Sequence, residues 1–402
     1  MGRDDRQRLP ERRHRPMVAV DLSGSCIVSY RLRAGSHRRI HPCIFQPARA
    51  GQTHAPRLAS LRHGEAVMKI IAYLSSRLFF AVPQLFGIVA VAFFLLKLIP
   101  GDPAPMMLGP LATQEAVDKL RAEMGLDQPL PVQFLAYIGR ALHGDLGSSW
   151  QTTNTVLADL GQRLPATLEL VVLSLLLAVA LGLPLGLMAG RKPESLTARI
   201  ADGYATVMGA LPDFWLALVL VFVGYTVLQI APAPIGRLDF AVLPPDRITG
   251  SYVLDALMTG DFETTKAAAG QLVLPVLTLG LIYAVPILTM TRAAVERLND
   301  SDFIRFAMAK GLSPARISLH ALRNALPAVI TVIGSLYGTL VGSVVLVEVV
   351  FSWGGAGQYA VAAVLNADIN ASLGFILAAA VISLFVHLVV DLVTLILDPA
   401  QS

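Results

Sequence analysis

The chain has 402 residues, of which 54% are hydrophobic and only 15% are charged. A water-soluble domain carries about 25% charged residues, so this composition excludes an ordinary soluble protein and predicts that lipid surrounds most of the chain. The formal net charge is +4, but it does not indicate a nucleic-acid partner, because the basic excess is confined to the start of the chain.

Residues 1–67 contain 13 of the 32 Lys and Arg residues but only 5 of the 28 acidic residues. Both cysteines, Cys26 and Cys43, lie here, so the rest of the chain has no cysteine for a disulfide or a metal site. High charge without apolar periodicity predicts disorder. Met68 opens a different, apolar sequence. We expect either that residues 1–67 are wrongly assigned upstream sequence, or that they form a basic tail touching anionic lipid.

Residues 68–402 are predicted to form an all-α membrane domain. A bilayer core about 30 Å thick is crossed by about 20 apolar residues in a helix. Six stretches satisfy this requirement: Leu78–Leu98, Ala166–Ala189, Val207–Ile230, Gln271–Met290, Ala325–Val350 and Leu373–Leu397. The chain is therefore expected to cross the membrane six times.

The connections between these spans differ in basic residues. Residues 190–206 carry three Lys or Arg and residues 291–324 carry six, whereas residues 351–372 carry none. The 67-residue connection 99–165 has four basic and seven acidic residues. Because Lys and Arg are enriched in cytoplasmic connections, both basic connections and both termini are predicted to be cytoplasmic.

The outer connection, residues 99–165, is predicted to be folded. Thr113 is placed to cap a helix that stops at Gly125, and a second helix is expected over about Val132–Leu142. This small outer cap is interpreted either as lining a substrate entrance or as a lid that shields the helix ends.

The cytoplasmic connection 291–324 has strong helix signals. Ser301 is a favourable N-cap, Gly311 suits a left-handed C-terminal position, and Ser313 with Pro314 starts a second helix. Four residues are expected on one face of the first helix: Phe303, Phe306, Ala307 and Lys310. The pattern predicts a rigid helix–turn–helix elbow that presents an apolar ridge to a soluble partner. The alternative is an amphipathic helix lying in the lipid interface.

This elbow resembles the coupling loop of bacterial ATP-binding-cassette (ABC) importer permeases, in particular the first permease subunit of the dipeptide, oligopeptide and nickel family. Further segments resemble that family in order along the chain: Leu98–Pro103, Gly125–Pro131, Gly144–Ser149, Arg163–Leu170, Leu211–Leu216, Leu274–Leu279, Ala309–Leu312 and His320–Leu326. The resemblance covers Met68–Pro399. It departs from the family at Arg305-Phe306-Ala307, where Glu-Ala-Ala is usual in such loops, and at Gly354, where Pro is usual.

The resemblance implies a type I importer fold and several partners: a sister permease, two ATP-binding subunits and an extracytoplasmic solute-binding protein in a bacterial inner membrane. It implies that the ATPase subunits act on the coupling loop through Phe303, Arg305, Phe306, Ala307, Lys310, Gly311 and Leu312. Mg-ATP would be bound by those subunits, with no cofactor on this chain. Short peptides are the expected substrates, and nickel or glutathione are the alternatives within the family.

Several residues also indicate function independently of the resemblance. No Gly-Lys pair occurs, so the chain lacks a P-loop and is predicted not to be an enzyme or to bind a metal. Glu348 is a candidate for gating. His387 and Asp391 are candidates for helix pairing or a proton relay, whereas Lys97 and Glu169 are expected to snorkel from span ends. A stand-alone secondary transporter is the less favoured alternative, because no inverted repeat is evident.

Overall fold

The computed structural model describes residues 17–20, 26–29, 63–98, 102–109, 111–299 and 301–397. In the first part of the chain, strands β1 (Met17–Val20) and β2 (Cys26–Ser29) form an antiparallel pair. The prediction of disorder for the remainder of residues 1–62 lies outside the described residues, and the choice between wrongly assigned sequence and a basic tail stays open.

The described body is helical. Its α-helices are α1 (His63–Leu98), α2 (Pro103–Leu108), α3 (Gln114–Glu123), α4 (Leu130–Leu142), α5 (Val156–Arg191), α6 (Leu196–Ala210), α7 (Asp213–Val221), α8 (Tyr252–Thr259), α9 (Phe262–Asn299), α10 (Asp302–Ala309), α11 (Pro314–Val350), α12 (Ala356–Leu365) and α13 (Ile369–Leu397). A π-helical segment, Phe222–Val227, continues α7.

Five helices are long and apolar enough to cross a membrane: α1, α5, α9, α11 and α13. They contain five of the six predicted spans. Helices α6 and α7, whose axes are bent by 101°, are apolar enough only as a pair, which forms either a broken sixth span or a re-entrant loop. The predicted all-α membrane fold is therefore confirmed, with five crossings or up to six, and the prediction of one unbroken helix over Val207–Ile230 is wrong.

The break in the third span has a local cause. A residue before proline avoids the helical region, and Leu211 accordingly has an extended backbone (ψ 132°). Pro212 is also extended, with ψ 141°, and helix α7 begins at the next residue, Asp213. The apolar composition continues across this break, which is why hydropathy alone does not reveal it.

The centre of the body is the contact between α5 and α9. Small residues recur on α5 at every fourth position, and all are buried: Ser174, Ala178, Gly182, Gly186 and Gly190. A Cβ added to Gly186 would lie 2.6 Å from the backbone oxygen of Leu288. Small side chains at this spacing let two membrane helices approach closely, so α5 and α9 pack almost backbone to backbone.

The connection 99–165 forms the expected small helices. Thr113 caps α3 by accepting a hydrogen bond from the backbone of Ala116 (3.3 Å), and the helix is followed by Gly125 at φ +67°. Helix α4 packs against α1, with the rings of Phe134 and Phe93 5.4 Å apart. These two helices confirm the prediction, whereas α2 was not predicted.

Candidate functional site

Helix α10 is held by signals within its own sequence. The hydroxyl of Ser301 accepts a hydrogen bond from the backbone of Ile304 (3.4 Å), and Gly311 follows the helix at φ +73°. Ser313 then caps α11 by accepting from the backbone of Arg316 (3.5 Å). The helix–turn–helix elbow is thus present as predicted, and its second helix runs without interruption into the fifth span.

One face of α10 packs onto the start of α11. Ile304 and Ala307 are 2% and 5% exposed, and they form an apolar cluster with Ile317 and Ala321. Leu312 packs partly buried against the same cluster. Ala307 therefore faces inward, and its predicted place on the exposed ridge is wrong.

The rest of the α10 surface is open and partly aromatic, although the ring of Phe303 also contacts that of His320 on α11 (centroids 6.0 Å apart). Phe303 and Phe306 remain 46% and 60% exposed. The ammonium of Lys310 lies 4.5 Å from the centre of the Phe306 ring, a cation–π contact. Arg305 is also exposed, and its guanidinium lies 3.8 Å from the carboxylate of Asp302. We call Phe303, Arg305, Phe306 and Lys310 the coupling face.

The elbow is fastened to three long helices. The side chain of Asn299 donates to the backbone oxygen of Gly190 at the end of α5 (2.7 Å). Arg191 donates to the hydroxyl of Ser318 on α11. Arg292 of α9 donates to the carboxylate of Asp202 on α6. The bonds from Asn299 and Arg191 place the two basic connections at the same end of the body.

Comparisons with known proteins decide the family. The profile described as "Binding-protein-dependent transport system inner membrane component" matches residues 182–402, and the profile of its N-terminal part matches residues 70–171. The chain belongs to this family. It is a multi-pass membrane permease subunit of an ABC importer.

The chain matches three curated relatives over nearly their whole length. The chain is 40% identical over 314 residues to the probable D,D-dipeptide transport system permease DdpB of Escherichia coli, covering 78% of this chain and 92% of the relative. It is 34% identical to the dipeptide permease DppB of the same species, covering 82% and 98%. It is 36% identical to the di/tripeptide permease DppB of Pseudomonas aeruginosa, again covering 82% and 98%.

At the other end of the permease, Glu348 is fully buried. Its carboxylate accepts a hydrogen bond from the hydroxyl of Thr167 (2.5 Å) and another from the backbone of Gln358 (2.9 Å). A Cβ added to Gly355 would lie 2.1 Å from this carboxylate. Glu348 therefore ties α5, α11 and α12 together. Its role in gating stays a prediction.

Other predicted ionisable residues have specific partners. Asp391 of α13 forms an ion pair with Arg77 of α1 (2.9 Å), whereas His387 bonds to the backbone oxygen of Ser383 (2.7 Å). Asp391 thus pairs α13 with α1. The side chains of Asp391 and His387 are not bonded to each other. The ring of Phe93 lies 5.8 Å from the ammonium of Lys97.

The snorkelling interpretation of Glu169 is wrong. Its carboxylate is buried, forms an ion pair with Arg237 (3.2 Å) and accepts a hydrogen bond from Ser251 (2.6 Å). Arg237 also donates to the backbone oxygen of Gly250 (2.8 Å). Glu169 therefore anchors the connection 231–251 to α5, a partnership between residues far apart in sequence that spacing cannot reveal.

A further carboxylate was missed by the sequence reasoning. Asp213 at the break of the third span accepts a hydrogen bond from Ser343 of α11, and Ser343 accepts one from Tyr283 of α9 (2.8 Å). The signal was available, because an acid directly after Pro212 inside an apolar stretch is unusual. Among the described residues, no cluster of three or more His, Cys, Asp or Glu is placed to hold a metal ion.

Proposed function

We propose that this permease forms half of the pathway for short peptides, and that its coupling face receives the movement of an ATP-binding subunit. The observation that carries the coupling role is the exposed pair Phe303 and Phe306 on a short helix whose other face is packed onto α11. Such aromatic anchors suit insertion into a groove of a soluble partner.

The proposal includes the other subunits. A sister permease completes the pathway, two ATP-binding subunits bind Mg-ATP, and an extracytoplasmic binding protein delivers the substrate. Membership of a binding-protein-dependent family supports the last partner. The chain's own lack of a Gly-Lys pair supports a separate ATPase.

The same proposal places both termini and the coupling face in the cytoplasm. The two connections rich in Lys and Arg lie at one end of the body, as the bonds from Asn299 and Arg191 show. The enrichment of basic residues on the cytoplasmic side supports this orientation. The printed names of the relatives support a di- or tripeptide substrate.

The coupling role is tested by Phe306→Asp in a tagged permease expressed with its partner subunits. Burying a new charge in an apolar groove is costly, so we expect the ATP-binding subunits to be lost on purification and peptide uptake into proteoliposomes to fall at least about tenfold. Leu196→Asp is the matched control, because Leu196 is 72% exposed in the other basic connection. Retention of the ATP-binding subunits and full uptake in Phe306→Asp would contradict the coupling assignment.

The substrate is tested separately with the unaltered importer. Uptake of a radiolabelled dipeptide, with nickel ion and glutathione offered in parallel, distinguishes the members of the family. We expect ATP-dependent dipeptide uptake. Accumulation of nickel or glutathione without dipeptide would refute the peptide assignment and leave the coupling result intact.

A further inference from the structure

The break in the third span places a carboxylate inside the membrane-crossing body. Asp213 is the first residue of α7, where the positive end of the helix dipole favours a negative charge. Its hydrogen-bond partner Ser343 lies seven residues before the end of α11, a depth of about 10 Å along the helix. The carboxylate therefore lies among apolar spans and not in an external connection.

A chain of hydrogen bonds orients this carboxylate. Tyr283, which is almost fully buried, donates to the hydroxyl of Ser343 (2.8 Å), and Ser343 in turn donates to Oδ2 of Asp213. Oδ1 of Asp213 accepts no hydrogen bond from the described residues, and none of their Lys or Arg side chains forms an ion pair with it. Asp213 is half-buried. One oxygen is thus fixed and the other is available.

Ser343 is also the last of four hydroxyl residues on one side of α11. Thr331, Ser335, Thr339 and Ser343 recur at every fourth position, so they form one slanted row. The first three are exposed and Ser343 is half-buried. We call these four residues the hydroxyl row.

Contact with lipid could account for the hydroxyl row, but it does not account for the carboxylate of Asp213. Thr331 and Ser335 donate to backbone oxygens of their own helix (3.0 and 2.8 Å), a bond that makes such residues tolerable in lipid. An acid at this depth is expensive without a cation or water and usually faces a cavity or a partner. The row and Asp213 therefore mark a side of the permease that faces an aqueous path.

We propose that Asp213 binds the protonated amino group of the transported peptide as the peptide passes along the hydroxyl row. This inference rests on the proposed peptide substrate. An ammonium offers three donors and a positive charge, which suits the available carboxylate oxygen of Asp213. The amino group is common to peptides of different side chains, so the site accepts many sequences.

The first test asks whether the row faces water. Thr339→Cys is introduced after both natural cysteines are replaced by serine, and the assembled importer in lipid nanodiscs is treated with a membrane-impermeant methanethiosulfonate. Val381→Cys on α13 is the control, since Val381 is an exposed apolar residue in a predicted span. We expect rapid modification at 339 and little at 381. No modification at 339 in either the resting or the ATP-bound state would show that lipid or the sister permease covers the row, and would overturn the proposal.

The second test asks what the site recognises. Dialanine and N-acetyl-dialanine are added to the Thr339→Cys importer without the binding protein, so that its own selectivity does not enter. We expect dialanine to slow modification about tenfold, as a hydrogen-bonded charge pair should, and N-acetyl-dialanine to have no effect. Equal protection by both peptides would overturn recognition of the amino group.

Asp213→Asn in the same background separates binding from structure. We expect modification at 339 to continue while protection by dialanine is lost, and dialanine uptake to fall about tenfold. Asp246→Asn, at an exposed acid of the connection 231–251, should change neither the protection by dialanine nor its uptake. Unchanged protection in Asp213→Asn would overturn the site. Absence of dipeptide uptake by the unaltered importer would refute the peptide function instead, and is seen before any variant is made.

Discussion

The close contact between α5 and α9 gives a sharp prediction for Gly186→Ala. The added methyl group would lie 2.6 Å from the backbone oxygen of Leu288 and 2.7 Å from Cβ of Thr291. Real Cβ atoms stay at least 3.0 Å from such neighbours, so α5 would have to move away from α9 by at least 0.4 Å. The backbone oxygen cannot rotate aside as a flexible side chain would.

The cost can be separated from helix propensity by a control on the same helix. Overpacking of this kind costs about 1–3 kcal/mol, whereas alanine favours a helix over glycine by about 0.8–1 kcal/mol. Gly161 is also in α5 but has no atom within 4 Å of an added Cβ. Gly161→Ala should therefore show the propensity gain alone, and Gly186→Ala should be less stable than Gly161→Ala by about 1–3 kcal/mol.

Reversible unfolding of the permease in mixed micelles, followed by circular dichroism as the denaturing detergent is increased, measures this difference. The two variants are compared at equal protein and lipid concentration. Equal unfolding free energies would refute the idea that backbone proximity at Gly186 holds α5 and α9 together. A further decrease in Gly186→Leu is expected, because the larger side chain enforces a wider separation.

Three more predictions follow from buried polar groups and a strained turn. Glu348→Ala should lower the unfolding free energy by about 2–4 kcal/mol, because the hydrogen bond to Thr167 is lost and the backbone donor of Gln358 is left unpaired. Lost uptake with unchanged stability would indicate gating instead. Gly311→Val should destabilise the elbow by about 1–2 kcal/mol and Gly311→Asn by less, since only the backbone at φ +73° resists substitution; thermal unfolding measures both. Burial would raise the pKa of Asp255, but hydrogen bonds from Thr249 and Gly250 outweigh it and lower the pKa. The stabilisation by Asp255 is thus complete above its unfolded-state pKa of about 3.9 and is lost as the pH falls through the lower folded-state pKa. The protection of residues 249–255 from hydrogen exchange should therefore decline in that acid range. Asp255→Asn should abolish this pH dependence.

Local signals account for what the sequence predicted well. The bounds of α10 depend on Ser301, Gly311 and Ser313, which act on their own backbone within a few residues. The same is true of Thr113 at α3. Hydropathy located the long spans because each needs about 20 apolar residues whatever its neighbours are.

Tertiary contacts account for what was missed. Ala307 turns inward because Ile317 and Ala321 cover that side of α10, and helical spacing alone cannot say which side will be covered. Glu169 is paired because Arg237 returns to it from another connection. A hydropathy window averages over Leu211 and Pro212, so it could not detect the bend after which α7 begins at Asp213.

Helix α11 has a mechanical consequence. It is a single helix of 37 residues, about 55 Å long at 1.5 Å per residue. One end is bonded to α5 through Ser318 near the elbow, and the other carries Ser343 and Glu348. If the helix pivots rigidly about its first turn, a tilt of only about 5° displaces the far end by about 5 Å. A small displacement at α10 would thus be converted by lever action into a movement as wide as a peptide backbone.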